Sequence, residues 1–232
     1  LAAQTNSSQV FVSKDFGTYG KQRDERVREA LARSGRELIE AGSPYAIDPG
    51  TLATGSGTRY RVYAPFYRSW LSHGYPAAAP TVVPEWVTPP PSARIDAIAE
   101  LSTRQSEVEL PDVGEVAAWR RWEWFKDNGL AQYSTNRNRP DLDGTSNLSA
   151  HLRWGEIHPR SLLAELPPYL STPDCEVGAE TFRKEIAWRE FYAEVWDANP
   201  TSTWDSLDPR FDRALETDSG STAEANFAAW QS

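Results

Sequence analysis

"AETFRKEIAWREFYAEVW" (residues 179–196) carries the longest and clearest helical pattern in the chain. Within it Glu185, Trp188 and Arg189 fall at i, i+3 and i+4, so the spacing predicts that they share one face as a single surface patch. A carboxylate, a flat indole and a guanidinium grouped in this way can hydrogen-bond and stack on a planar heterocycle. The same spacing also serves an i,i+4 ion pair beside a core tryptophan.

From Val113 onward the chain reads as all helical. "EVAAWRRWEWF" (115–125) puts Val116, Trp119, Trp122 and Phe125 on one face, and Pro159 stands just ahead of "RSLLAEL" as a first-turn proline. Upstream the pattern alternates. "QVFVS" (9–13) is a short β-rich run, and "RDERVREALARSG" (23–35) has Val27, Ala30 and Leu31 at helical spacing with Gly35 as a stop. "RELIEA" and "RYRVYAP" suggest further strands around the turn "GSG" (55–57), and a helix near Pro65 carries Phe66, Tyr67, Trp70 and Leu71. Between these halves lies a proline-rich stretch with no usable periodicity. The predicted fold is therefore an incomplete α/β unit (1–75, Rossmann-like in part), a linker or long crossing loop (76–110) and an incomplete all-α unit (111–232).

The 232 residues are 39% hydrophobic, enough for a globular core. No run approaches the roughly 18 apolar residues of a membrane span. The opening "LAAQTNSSQV" lacks the charged start and apolar stretch of a secretion signal, and Cys175 is the single cysteine, which together predict a cytoplasmic protein. There is no methionine, so the chain is expected to be an internal piece of a longer protein. Its net charge is -9. That balance taken alone argues against a nucleic-acid partner, but it is uneven: from Phe191 on, eight acids face Arg210 and Arg213, a local balance of -6. His73, His151 and His158 have no companions at metal-ligand spacing, and His158 reads as structural beside Pro159. There is no Walker loop, G-x-S-x-G or G-x-G-x-x-G.

"GTSNLSAHLRWGEIHPR" (144–160) gathers Thr145, Ser146 and Ser149 around one helix start. Unpaired N–H groups and the positive end of the helix dipole, joined by three hydroxyls, outline a phosphate site, although an ordinary cap needs one of those hydroxyls and could leave two spare. "QYSTNRNRP" (132–140) reads as a polar loop in which Tyr133, Arg137 and Arg139 suit phosphate contact and stacking, or simple solvation.

Taken together these stretches resemble the photolyase/cryptochrome family. The 144–160 segment is similar to the family's flavin-binding T-S-x-L-S-x-x-L-x-x-G pattern, and "EIAWREFY" to its W-R-E-F motif, in the same order. "KQRDERVREAL", "TRYRVYAPFYRSWL" and "NFAAW" extend the similarity over nearly the whole chain. The resemblance is strongest to bacterial class I cyclobutane-dimer photolyases. It implies an antenna-type α/β domain and a helical domain holding FAD in a U-shape, with Tyr133, Thr145, Ser146, Asn147, Leu148, Ser149, Phe182 and Arg189 on the cofactor side. Phe182 stands where some relatives have tryptophan. It further implies that Trp188 stacks on a flipped-out pyrimidine dimer in UV-damaged DNA, that Glu185 bonds its bases and that Arg137 holds the DNA backbone. Light-driven electron donation from reduced FAD would split the dimer, making the protein a monomeric, metal-free carbon–carbon lyase. A cryptochrome-type light sensor would keep the flavin residues and lose the lesion pocket. Two departures are visible. The chain stops before the family's distal flavin segment, with no relay tryptophan near Glu216 and Thr217, and "KDFGTYGKQRD" has Tyr19-Gly20 where folate-antenna relatives carry an Asn-Glu pair, so a second chromophore of folate or deazaflavin type is implied without choosing between them.

Overall fold

The computed structural model describes residues 1–88, 110–211 and 221–231. It is mostly helical with one small sheet. Strand β1 (Gln9–Val12) is followed by helix α1 (Thr18–Ala32) and strand β2 (Glu37–Glu40). The strands pair in parallel with Gln9 opposite Glu37 and Val12 opposite Glu40, which makes one β-α-β crossover. The expected third strand over "RYRVYAP" does not form. Arg59 instead turns its guanidinium to Glu194 and Asp197, and the chain enters helix α2 (Tyr63–His73) two residues ahead of Pro65.

The second half is a succession of helices: α3 (Glu115–Asn128), α4 (Tyr133–Asn136), α5 (Ser149–Trp154), α6 (Pro159–Glu165), α7 (Pro167–Leu170) and α8 (Glu176–Ala198). A 3-10 turn (Pro200–Thr203) and helix α9 (Ser221–Gln231) follow. The inward face of α3 is Ala118, Trp122 and Phe125 rather than one led by Val116, which is 73% exposed, while Trp119 packs partly buried at its margin. The spacing 118, 122, 125 is equally helical, and it lets the two largest rings enter the core together. The presumed loop at 132–140 contains the α4 turn. Of the proline-rich segment 76–110, residues 89–109 lie outside the described residues. Among those described, no helix is long and apolar enough to cross a membrane.

Helix α8 is the element on which α2, α4 and α7 pack. Its first turns approach the chain so closely that a Cβ on Gly178 would lie 1.8 Å from the Leu130 carbonyl oxygen, which explains a glycine inside a long helix. Its middle is reached by a stripe on α2. Tyr63, Tyr67 and Trp70, at i, i+4 and i+7, each send a polar tip into α8: the Tyr63 hydroxyl donates to Lys184 O at 2.8 Å, that of Tyr67 to Glu180 at 2.8 Å, and the Trp70 indole N–H to Glu190 at 2.6 Å.

Residues 43–50, which follow the β-α-β unit, have no regular structure, yet their main chain is captured almost atom by atom. Glu190 accepts from Ala46 N and from Ile47 N (3.2 Å), and Glu194 from Gly50 N (2.6 Å). The carbonyls of Ser43, Pro44 and Ala46 accept from His158 Nε2 (2.8 Å), Arg189 Nη1 (2.7 Å) and Arg160 Nε (2.9 Å). His158 Nδ1 in turn accepts from Arg160 N at 3.1 Å, capping α6. A carbonyl at one ring nitrogen and an N–H at the other fix the neutral tautomer protonated at Nε2. Burial holds the His158 pKa below its ordinary 6.5, so its contribution to stability is present above pH 6.5 and is lost as pH falls below it.

Glu190 works in the opposite direction. Its carboxylate is 3% exposed and has three N–H donors, but burial outweighs them and pushes its pKa up from 4.5 to about 7. The folded state thus holds this proton more tightly than the unfolded one, and the associated stability is complete below pH 4.5 and lost as pH rises through about 7. Replacing Glu190 with Ala should cost about 3 kcal/mol or more, because three buried donors lose their acceptor. Comparing urea denaturation of the wild type with Glu190→Gln between pH 5 and 8 isolates the proton linkage: the stability of the wild type relative to the variant should decline with rising pH, and a flat difference would rule it out.

Candidate functional site

The site forms where α3, α4, α5 and α8 meet. Tyr133 and Phe182, both buried, lie with Trp122 and Phe125 in one aromatic cluster: Tyr133 meets Phe125 edge-on at 5.3 Å and Phe182 at 5.8 Å, and Phe182 stacks on Trp122 at 5.2 Å. The 144–149 segment comes up against α4 because residue 144 is glycine, where a Cβ would sit 2.7 Å from that of Asn136. Leu148 is buried as the anchor of this segment, while Thr145 and Ser146 are half-buried and Asn147 and Ser149 exposed.

The turn itself has a defined shape. Asn147 adopts a left-handed conformation (φ 51°), accepts from the Thr145 hydroxyl at 2.9 Å and donates to Asp143 at 3.3 Å. No side chain caps the start of α5, in spite of the three nearby hydroxyls. The helix therefore presents its first N–H groups beside an exposed serine, which suits an anion and fits a dinucleotide diphosphate.

One residue that sequence reasoning passed over holds this turn in place. Arg121 on α3 donates to Thr145 O (2.6 Å), Ser146 O (3.0 Å) and both oxygens of Asp143 (2.5 and 3.0 Å), and its guanidinium lies 4.0 Å above the Trp124 ring. The ion pair also offsets the negative charge of Asp143 next to the proposed anion position. The available signal was the arginine pair set among tryptophans in "WRRWEW".

A second grouping lies along α8. Glu185 pairs with Arg137, whose guanidinium is also 5.9 Å from the Tyr133 ring centroid. Trp188, one turn further on, lies parallel to Tyr63 with centroids 3.6 Å apart and planes 6° apart, and beside Tyr192 at 5.5 Å. Glu185, Arg137 and Trp188 are thus brought to the same stretch of α8. Arg189 is not part of that patch: it turns to the other side of the helix, donating to Pro44 O and Leu152 O and covering the Tyr45 ring at 4.8 Å. The predicted single patch is corrected accordingly, because each residue of the i,i+4 pair has a better acceptor or donor across the helix interface than its helical neighbour. Tyr63 was the second omission, concealed by reading 59–65 as a strand.

Residues 1–85 match the family model described as DNA photolyase. The chain is 30% identical to a deoxyribodipyrimidine photo-lyase of Streptomyces griseus, covering 92% of this chain and 46% of that protein. It is 31% identical to the Escherichia coli protein of that name, over 87% of this chain and 43% of the relative. The chain spans less than half the length of these curated relatives. Among solved structures, a class III photolyase from Agrobacterium tumefaciens superposes with a TM-score of 0.77 at 25% identity, over 99% of this chain and 48% of that one. A Synechocystis cryptochrome superposes at 0.66 with 17% identity, over 94% of this chain, a likeness of fold alone. The Agrobacterium protein is a class III photolyase, whereas the W-R-E-F segment of this chain is most similar to class I enzymes. Motifs, fold and relatives agree on one likeness: residues 1–85 match DNA photolyase, and most of the chain is similar to deoxyribodipyrimidine photo-lyases of which it spans less than half.

Proposed function

We propose that this chain is part of a deoxyribodipyrimidine photolyase, binding FAD and using blue light to split cyclobutane pyrimidine dimers in DNA. Residues 1–75 would contribute to its α/β antenna domain, 76–110 to the connection and 111–232 to the helical flavin domain. The observation that carries the reading is the grouping of Glu185, Arg137 and Trp188 on one stretch of α8, immediately beside the Tyr133–Phe182 cluster. A light sensor has no need of a carboxylate, a guanidinium and a stacking indole side by side.

The roles follow from the chemistry of each group. Thr145, Ser146 and Ser149, with the uncapped start of α5, would hold the diphosphate of FAD, and Tyr133, Leu148 and Phe182 would wall the cofactor. Bound, reduced FAD supplies the photoexcited electron for dimer cleavage. The chain's own part is binding and orientation. Arg137, 34% exposed at its side chain, can reach a backbone phosphate. Trp188 offers a stacking surface for a flipped-out dimer, and Glu185 accepts hydrogen bonds from its bases. A dimer is easier to extrude than a normal pair because it is already poorly stacked.

The test is repair of an oligonucleotide bearing one thymine dimer by the intact protein containing this chain, in blue light and in the dark. Repair confined to the light is expected; bound FAD without repair would move the assignment to a photoreceptor. In a binding titration with the same oligonucleotide, Trp188→Ala should weaken affinity for dimer-containing DNA by about 1–3 kcal/mol through lost stacking. Arg121→Ala tests the flavin turn separately. It leaves the Thr145 and Ser146 carbonyls without this donor and Asp143 with Asn147 alone, so FAD retention during gel filtration should fall and stability should drop by about 1–3 kcal/mol, whereas unchanged flavin content would remove Arg121 from the site.

A further inference from the structure

Trp188 is not free to choose its orientation, because its indole is the middle member of an aromatic row that begins on a different element. Tyr63, the first residue of α2, lies flat against it at 3.6 Å and 6°, the closest and most nearly parallel ring pair among the described residues. The Tyr63 ring, partly buried, is itself restrained by three contacts besides Trp188. Its hydroxyl donates to Lys184 O at 2.8 Å, Phe191 meets it edge-on at 5.8 Å and Tyr67 stacks behind it at 5.7 Å. Lys184 lies four residues before Trp188, so the phenol is tied to the same turn of α8 whose indole it covers. Burial raises the Tyr63 pKa, so the phenol stays a neutral hydrogen-bond donor at physiological pH. Tyr67 and Trp70, through Glu180 and Glu190, keep α2 from sliding along α8.

We propose that Tyr63 is a positioning residue for lesion recognition: by stacking on one face of Trp188 it fixes the indole plane in advance for a flipped pyrimidine dimer, which need displace only Tyr192, offset at 5.5 Å and 63% exposed, to reach the indole. This rests on the photolyase reading above. A side chain held in its bound rotamer does not lose that freedom when the ligand arrives, and an aromatic pair resists tilting by more than its buried area alone. Loss of the ring should therefore weaken dimer binding about three- to tenfold, a change of the size expected for freeing one rotamer-rich side chain. Binding to undamaged DNA, which does not use Trp188, should stay the same.

The experiment uses the intact protein and measures affinity for an oligonucleotide with a single thymine dimer and for its undamaged counterpart. The variants are Tyr63→Ala, Tyr63→Phe, Tyr63→Leu, Trp188→Ala and the double variant Tyr63→Ala/Trp188→Ala. Expected are a three- to tenfold loss for dimer DNA alone with Ala, near-complete rescue by Phe, which keeps the stack, and no further loss when Tyr63→Ala is added to Trp188→Ala. Tyr63→Leu, which fills space without a flat ring, stands in if the alanine variant fails to fold, and should resemble Ala rather than Phe. If Trp188→Ala weakens dimer binding while Tyr63→Ala and Tyr63→Leu do not, or weaken both DNAs equally, the positioning role is wrong and the photolyase reading stands. If Trp188→Ala itself has no effect on dimer binding, both fall together.

Discussion

Glu190 is where two parts of the chain that are far apart in sequence become one structure. Its carboxylate accepts from Ala46, Ile47 and Trp70, so one buried group on α8 holds both an irregular segment and a helix that lie more than a hundred residues upstream. An irregular segment can be buried only if its peptide groups find partners, and here the partners are side chains. Glu190 and Glu194 supply acceptors, while His158, Arg160 and Arg189 supply donors. Among the described residues, no buried side-chain nitrogen or oxygen is left without a partner. Removing either set would strand the main-chain groups that it holds, and a buried peptide group without a partner is costly.

This division of labour runs along α8. Its early turns come close to the Leu130 carbonyl through Gly178 and deliver Phe182 to the Tyr133 cluster; its central turns carry Glu185 and Trp188; its last turns bind the 43–59 region. Neighbouring residues of the helix accordingly do unrelated work. Trp188 belongs to the candidate site and Arg189 to the scaffold, although they are adjacent in sequence.

Much of this was legible in the residues. The 179–196 helix and the β-α-β start follow from periodicity, and a structural role for His158 from its place beside a first-turn proline. What escaped was set by distant partners. Arg59 points away from a would-be strand because Glu194 and Asp197 are 135 and 138 residues downstream, and no local window contains them. Val116 carries a core-type side chain on an exposed position, because Trp122 and Phe125 decide which way α3 faces. Arg121 and Tyr63 were missed for a related reason: each acts on residues that are near it only after folding.

The length of α8 has an electrostatic consequence. Asp197 lies twelve residues beyond Glu185, roughly 18 Å along the helix axis at 1.5 Å per residue. At physiological ionic strength a charge is screened within about 8 Å. Glu194 and Asp197 are in addition matched by Arg59 and Lys21. A polyanion arriving at Arg137 and Trp188 would therefore experience the cations of its own neighbourhood and little of Glu194 and Asp197 at the end of the helix. Although the chain carries a net charge of -9, those two acids add little repulsion toward a phosphate backbone at that face.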